Sequence, residues 1–558
     1  MRKIRRILVA VKDTRGLGCS IVCPATCSSS SRSALRAVYH VPDAALGSLR
    51  SPQFSPASDS QGCREWHSRE DIKMNYGSFV ARTGIRRAVA LCGVLTFAGA
   101  AAPALAVPSF ARQTGMTCAA CHTMIPELTP IGREFKLNGY VLDNLRQIRG
   151  ETMQRRQSLA LNQLAPISLM VQTSYTRTAQ ALPDSAVSGA LAKDGEVLFP
   201  QQVSLFYAGK IANNLGAFVQ LTYDGVEDHF GLDNTDIRYA RYIGLAEPGE
   251  SDETHASKGF LQSHDVLVGL TLNNNPTVQD PWNSTPAWGY PYASSSVAPA
   301  PNASARLDTG AGAIGQNAAG LGAYLWFDHS LYAELSGYTA AKTGGAHPLD
   351  STQSAVLRGL APYWRVGYEL RWSTNSLFLG TYGTQVSIYP GTAGGTPHPL
   401  NGPVDRYTDI AADGEFQHIT DDHQVTLLAT YIHEQQHLDA SLAYGLAANP
   451  TDDLHTIKAT AEYSYRRLIG GAASLFSTSG SPDPLLYAND GTVNGSLAGT
   501  PDSRGYLLEV DYLPFLNTKL ELQYVGYTKF NGAGTDYAGI GRNASANNTL
   551  YLLVWLNF

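Results

Sequence analysis

The sequence predicts a mainly β protein: an antiparallel transmembrane β-barrel of about sixteen strands preceded by a small α-helical segment. Three observations predict this fold. From residue 167 onward, apolar and polar residues alternate with a period of two. The connections between these segments alternate between short and long, and the chain ends in Phe558 after an alternating segment. Residues 107–160 instead carry apolar residues scattered among charges, which is typical of short helices.

The composition narrows the class of protein. The chain has 558 residues, of which 16% are charged, with a formal net charge of -6 at pH 7. With a pI of about 6.2 and no basic stripe, it lacks the surface of a nucleic-acid-binding protein. The 29 Tyr and 53 Gly residues, together with the low charge, indicate many exposed strands.

The N-terminal region predicts export. Residues 1–73 are rich in Ser and Arg without sustained periodicity, and we interpret them as a non-native or disordered extension. Met74 opens a basic stretch, a short apolar run and Ala104-Leu105-Ala106, the pattern of a signal peptide over 74–106. We therefore expect translation to begin at Met74 and the mature chain to begin near Val107. A genuine N-terminal extension is the alternative.

The alternating segments extend over 161–558, the predicted barrel domain. In the segment after residue 517, Lys519, Glu521 and Gln523 face one way, and Leu520, Leu522 and Tyr524 face the other. Strands are expected to begin near 167, 199, 215, 235, 265, 319, 331, 361, 377, 406, 423, 454, 469, 504, 518 and 549. An apolar face in lipid requires a closed sheet, since an open edge would leave backbone groups unpaired. A soluble propeller or solenoid is the alternative, but the sequence has no fixed repeat.

Connection lengths predict the orientation. Short connections are expected at 328–330, 372–376, 419–422 and 514–517, and long ones at 179–198, 273–318, 341–360, 390–405, 435–453, 480–503 and 529–548. Outer-membrane barrels have short periplasmic turns and long extracellular loops. An even strand number places both barrel ends at the periplasmic side, which predicts a bacterial outer-membrane protein whose helical segment enters from the periplasm.

The helical segment contains Cys118-Ala-Ala-Cys121-His122. Two thiols separated by two residues and followed by His is the spacing for covalent attachment of haem c. Cys118 and Cys121 would form the thioethers, and His122 would ligate the iron. A redox dithiol or part of a zinc site is the alternative, although the mature chain has no second Cys pair and the dithiol does not need the histidine.

Three stretches carry a family resemblance: Phe110 through the Cys118–His122 motif to Tyr140, Asn273 to Tyr292, and Asp233 to Tyr239. Together they resemble the fused monohaem cytochrome–porins of the outer membrane, which include the Fe(II) oxidases of iron-oxidising bacteria. The one departure noted is Ile131, where Phe is expected. The resemblance implies electron transfer through a single haem c, without requiring that every member oxidise iron.

The four Met of the predicted mature chain are candidates for the second axial ligand of the haem iron, besides His122. Met170 is the better candidate, because its position in the alternation directs it into the lumen, and a thioether ligand raises the haem potential. Met153 is the second candidate, Met116 and Met124 lie too near the motif, and a lumenal His is also possible. Packing is the alternative role for each Met.

The sequence defines the residues that could bind Fe(II) less clearly than it defines the haem attachment motif. An expected outer connection after the third strand carries Asp224, Glu227, Asp228, His229, Asp233 and Asp236, and a second group is His433, Glu434, His437 and Asp439. Such ligands bind Fe(II) weakly, and a solvated acidic loop is the commoner explanation.

Three functions remain open. The first is an iron oxidase, an Fe(II):cytochrome c oxidoreductase that takes electrons from extracellular Fe(II) and passes them to a periplasmic c-type cytochrome or similar acceptor. The second is a haem-plugged barrel serving a different extracellular donor or acceptor. The third is a diffusion porin with a structural haem.

Overall fold

The computed structural model describes residues 107–142, 145, 147–149, 160–183, 193–226, 228–244, 266–276, 280–309, 313–341, 355–390, 400–489 and 491–558. The expected extension over 1–73 and the expected signal peptide over 74–106 lie outside these residues. Met153 and Glu227 lie outside them as well.

Sixteen long strands form the body of the protein. They are β1 (Ile167–Thr178), β2 (Val197–Ala212), β3 (Leu215–Asp224), β4 (His229–Ile243), β5 (Val266–Asn273), β6 (Ala318–Phe327), β7 (Leu331–Ala340), β8 (Ala361–Trp372), β9 (Asn375–Tyr389), β10 (Asp405–Ile419), β11 (His423–His437), β12 (Thr451–Tyr465), β13 (Ile469–Gly480), β14 (Ser503–Phe515), β15 (Thr518–Lys529) and β16 (Thr549–Asn557). A seventeenth strand of the same sheet, Val356–Leu357, pairs with β9.

The sixteen strands close into a ring. Each pairs antiparallel with the next along the chain, and β16 pairs with β1 from Thr549 opposite Thr178 to Asn557 opposite Met170. Every barrel strand therefore has two hydrogen-bonded neighbours, so the ring leaves no strand edge unpaired in hydrocarbon. The predicted antiparallel barrel of about sixteen strands is confirmed.

The two faces of the barrel wall have opposite chemistry. On β14 the outward Leu508, Val510 and Tyr512 are 49%, 58% and 46% exposed, whereas the inward Glu509 and Asp511 are 4% and 0% exposed. A barrel surrounded by lipid has this pattern, with apolar side chains outside and charged side chains inside. This architecture is that of a bacterial outer-membrane protein.

The turns distinguish the two ends. Short connections at 213–214, 328–330, 373–374, 420–422, 466–468 and 516–517 lie at one end, which is the periplasmic end by the general rule. Asn214, Asp328 and Ser373 adopt positive φ there, as tight hairpins require. At the outer end, the connection after the third strand covers only 225–228, because β4 already begins at His229 and not near 235 as expected.

Three short helices precede the barrel: α1 (Pro108–Thr114), α2 (Cys118–Cys121) and α3 (Pro130–Leu137). α1 begins with a proline at its first turn and ends at Gly115, whose left-handed φ of 70° suits glycine. The Thr129 hydroxyl caps α3 by accepting from the Gly132 N–H. In the described part of the chain, no helix is long and apolar enough to cross a membrane.

Candidate haem site

The helical segment docks against the inner wall of the barrel through α3. Arg133, which is 1% exposed, contacts Glu415 at 2.6 Å and Glu369 at 3.1 Å. The neighbouring Glu134 contacts Arg371 of β8 at 3.1 Å. Since burying unpaired charges is costly, these complementary charges fix α3 against the inner wall.

α1 and the residues that follow α3 attach to a different part of the wall. The Ser109 hydroxyl donates to the Ala208 carbonyl at 2.7 Å, near the periplasmic end of β2. The Tyr140 hydroxyl donates to Asp236 of β4 at 2.7 Å. The segment is thus held on several sides by the barrel, which matters because a segment of this size is too small for a stable core of its own.

The imidazole of His122 is held in one tautomer. Its Nδ1 lies 3.0 Å from the Pro126 carbonyl oxygen and 3.1 Å from that of Glu127. Because carbonyl oxygens only accept, Nδ1 carries the hydrogen and Nε2 keeps its lone pair. Burial lowers the pKa of His122, which favours the neutral imidazole that binds metal.

The two cysteines are reduced thiols one helical turn apart on α2. Burial, together with the neighbouring Cys118, raises the pKa of Cys121 to about 11. A redox-active dithiol instead has a lowered thiolate pKa, so the surroundings of this pair do not favour that alternative. Among the described residues, the one cluster with metal-ligand spacing is Glu509, Asp511 and Glu521, which does not include the cysteines.

The predicted site residues border one cavity of about 830 Å³ inside the barrel. Its lining includes Cys118, Cys121, His122 and Met170, so residues from the segment and from β1 face the same space. This volume is in the range of pockets that hold large organic ligands. The geometry brings the four residues together, while bonds to a haem stay a prediction.

One wall of the cavity is aromatic. Phe110 stacks on Tyr140 at 5.4 Å between ring centroids and meets Phe135 edge-on at 5.1 Å. The buried cluster there is Phe135, Tyr140, Met170, Phe206, Ala208 and Phe218. A porphyrin needs such an apolar surface. The apolar lining therefore fits a haem, and so do the thiols and the imidazole.

Gly132 permits the close approach of α3 to the cysteine motif. A Cβ at this position would lie 2.3 Å from the Cys121 carbonyl oxygen, far inside van der Waals contact. The absence of a side chain therefore lets α3 begin directly against α2, which sets the distance between the thiols and the aromatic wall.

The three described methionines, Met116, Met124 and Met170, lie at different places in the structure. Met170 is 4% exposed and its Sδ lies 3.9 Å from Gln172 Nε2 on the inner face of β1. Met116 also lines the cavity, whereas Met124 lies against Gly470 of β13. His122 is the only histidine among the described residues that line the cavity, so a second lumenal histidine gains no support.

Residues 280–309 after β5 fold inward over the segment, which the sequence did not predict. Asn283 Oδ1 accepts from the Leu128 N–H at 3.0 Å, and Lys136 Nζ donates to the Asp280 carbonyl at 3.0 Å. Trp282 stacks on Phe378 at 3.8 Å between centroids and donates to Glu369 at 2.6 Å. The loop and the helical segment therefore form one packed body within the lumen.

Among the described residues of the two groups considered for iron docking, no metal-binding cluster forms. Asp236 pairs with Arg238 at 2.7 Å and is buried, whereas Asp228 accepts from Tyr223 at the outer turn. Asp233 alone of the first group lines the cavity. In the second group, the inward Glu434 is 0% exposed and the outward His433 contacts Asp453 at 3.2 Å, because adjacent strand residues face opposite sides.

No protein-family model and no curated protein sequence matches this chain. Solved structures with a similar arrangement include OmpT of Vibrio cholerae, at a TM-score of 0.35 and 9% identity over 70% of this chain and 97% of that one. The outer membrane channel DcaP of Acinetobacter baumannii gives a TM-score of 0.37 and 10% identity over 70% and 96%. An anion-selective porin from Comamonas acidovorans gives 0.37 and 11% over 70% and 98%. At these values the likeness implies nothing about the function of this chain.

Proposed function

We propose that this chain is an outer-membrane haem c protein that takes electrons from extracellular Fe(II) and passes them to a periplasmic electron carrier such as a c-type cytochrome. One observation carries the proposal: two reduced thiols and an imidazole whose Nε2 keeps its lone pair border a single cavity inside a closed barrel. When bound, haem c supplies a one-electron couple whose potential depends on its axial ligands.

The residues of the segment have separate roles in this proposal. Cys118 and Cys121 hold the porphyrin covalently, and the Pro126 and Glu127 carbonyls orient His122 so that Nε2 is the ligating atom. Met170 is the proposed second axial ligand. The aromatic wall excludes water, which strengthens electrostatic control of the potential.

The extent of the cavity supports access from both sides. Trp555 and Asn557, at the periplasmic end of β16, belong to its lining. Asp233 of β4 and Thr309 of the inward-folded loop line it toward the outer end. A centre held between these ends has a route for an electron to each face of the membrane, while the iron itself need not cross.

The diffusion-porin alternative rests on the barrel fold alone. Residues 107–142 and 280–309 occupy the lumen in which solutes of a porin would move, and buried ion pairs fix the segment there. This arrangement favours a plugged wall over an open channel.

The experiment uses the full chain purified in detergent from a host that matures c-type cytochromes. We expect a peroxidase-active band on a denaturing gel and a reduced α band after anaerobic addition of Fe(II). Reduction by another donor but not by Fe(II) would support the second function. A chain without haem, or one that passes small solutes in a liposome leak assay and is not reduced by any donor, would contradict the proposal.

A matched control tests the role of the thiols. The double variant Cys118→Ser, Cys121→Ser keeps the size of both side chains and should lose the peroxidase-active band while its barrel still folds. Heat-modifiable migration on a gel reports that folding independently of the haem.

A further inference from the structure

The cavity holds an unusual charge pattern for an apolar pocket. Among the described residues that line it, the lysines are Lys136 and Lys458, and the one carboxylate is Asp233 in the outer half. Two ammonium groups in a mainly apolar cavity point to a ligand that carries two negative charges, since buried cations are stabilised by anions.

Lys136 approaches the cavity from α3. It is 8% exposed, donates to the Asp280 carbonyl at 3.0 Å and lies 5.6 Å from the centre of the Trp288 ring. Burial and then the nearby Arg238 guanidinium lower its pKa to about 7, against the opposing effect of Asp236, Asp280 and Glu334. An additional anion would therefore stabilise the ammonium form.

Lys458 approaches from the barrel wall. It lies on β12 with the parity of the buried Glu462 and Ser464, so it faces the lumen. It also borders a smaller pocket, whose lining includes Asn283, Ser284 and neighbouring loop residues. No residue from 107–142 lines this smaller pocket. No ion pair of Lys458 is found within the described part of the chain.

We propose that Lys136 and Lys458 bind the two propionate carboxylates of the porphyrin attached at Cys118 and Cys121, one lysine to each. The inference rests on the proposed function. In haem c the thioethers form on the vinyl side of the ring, so the carboxylates lie on the side away from the cysteines. One lysine belongs to the segment and the other to the wall, so the cofactor would join the two through its charged groups.

The test compares Lys136→Met, Lys458→Met and the double variant with the wild type. We expect each single variant to keep its covalent haem and to lower the midpoint potential at pH 7, because an uncompensated carboxylate favours the oxidised iron. The midpoint potential of the double variant should be lower still, and it should depend on pH near neutrality because the carboxylates then titrate. The propionate bending bands in resonance Raman spectra should shift in each variant.

Controls separate the assignment from a general effect of charge. Lys529→Met removes a lysine that pairs with Asp502 at 2.6 Å and does not line the cavity, and it should leave potential and spectra unchanged. Lys136→Arg and Lys458→Arg should restore the wild-type potential and should also reveal any folding defect of the Met variants. Unchanged potentials and Raman bands in a haem-loaded double variant would overturn the lysine assignment alone. A wild-type chain without haem would overturn the proposed function and the assignment together.

Discussion

Replacing Arg133 should release the helical segment from the barrel wall. In the variant Arg133→Met, Glu369 keeps Arg371 at 2.6 Å and Trp282 at 2.6 Å. Glu415 loses the 2.6 Å contact with its one cationic partner in the described structure and stays buried at 2% exposure. Removing one partner of a buried ion pair costs about 3–5 kcal/mol. A loss of about 3 kcal/mol, the lower of these values, raises the equilibrium constant for opening of the segment about 100-fold. The conversion is about a factor of ten in an equilibrium constant for each 1.4 kcal/mol.

Hydrogen exchange of the α3 amides measures this opening directly. The amides of the barrel strands serve as an internal standard. The double variant Arg133→Met, Glu415→Gln should recover most of the lost protection, since no buried charge is then stranded. Arg466→Met is the matched control: Arg466 contacts Asp422 at 2.7 Å, but the two side chains are 59% and 48% exposed, so exchange should not change. Wild-type protection of α3 in Arg133→Met, or no recovery in the double variant, would refute the reasoning.

Three further outcomes are expected. Met170→Ala should lower the haem potential by on the order of 100 mV within the ~0.8 V range that axial ligands span; an unchanged potential and spectrum would remove Met170 as ligand. Gly132→Ala should destabilise the packing of α3 against α2 by about 1–3 kcal/mol, because its Cβ would overlap the Cys121 carbonyl, and α3 exchange would measure this. In the Cys118→Ser, Cys121→Ser variant, the Lys136 pKa of about 7 lies below the unfolded value of 10.5, so opening binds protons between the two. Docking should therefore strengthen as pH rises through this window, and a pH-independent exchange profile would contradict the assignment of that pKa.

The barrel could be predicted from sequence because its signal is local. Period-two alternation located β1, β3, β7 and β8 at their observed first residues, since each strand turns one apolar face to lipid. β4 was placed too late, near 235 instead of His229, because Asp233 and Asp236 suggest a loop when their partners are unknown. Those partners are Gln316, Tyr140 and Arg238, and most of them lie far along the chain.

The site was only partly predictable for the same reason. The motif Cys118–His122 is a local pattern, and the inward direction of Met170 follows from strand parity. Arg133 and Glu415 are 282 positions apart, and no periodicity relates them. The inward fold of 280–309 depends likewise on contacts such as Asn283 with Leu128, which exist only after the barrel has closed.

The pairing of β16 with β1 sets an order for biogenesis. β16 completes the wall by pairing with β1, so the cylinder cannot be sealed before both strands have been exported. Afterwards Cys118 is 5% exposed and lies behind that wall. On the proposed function, we therefore expect the porphyrin to be attached while the polypeptide is still an unsealed periplasmic intermediate, so that insertion into the membrane follows cofactor loading.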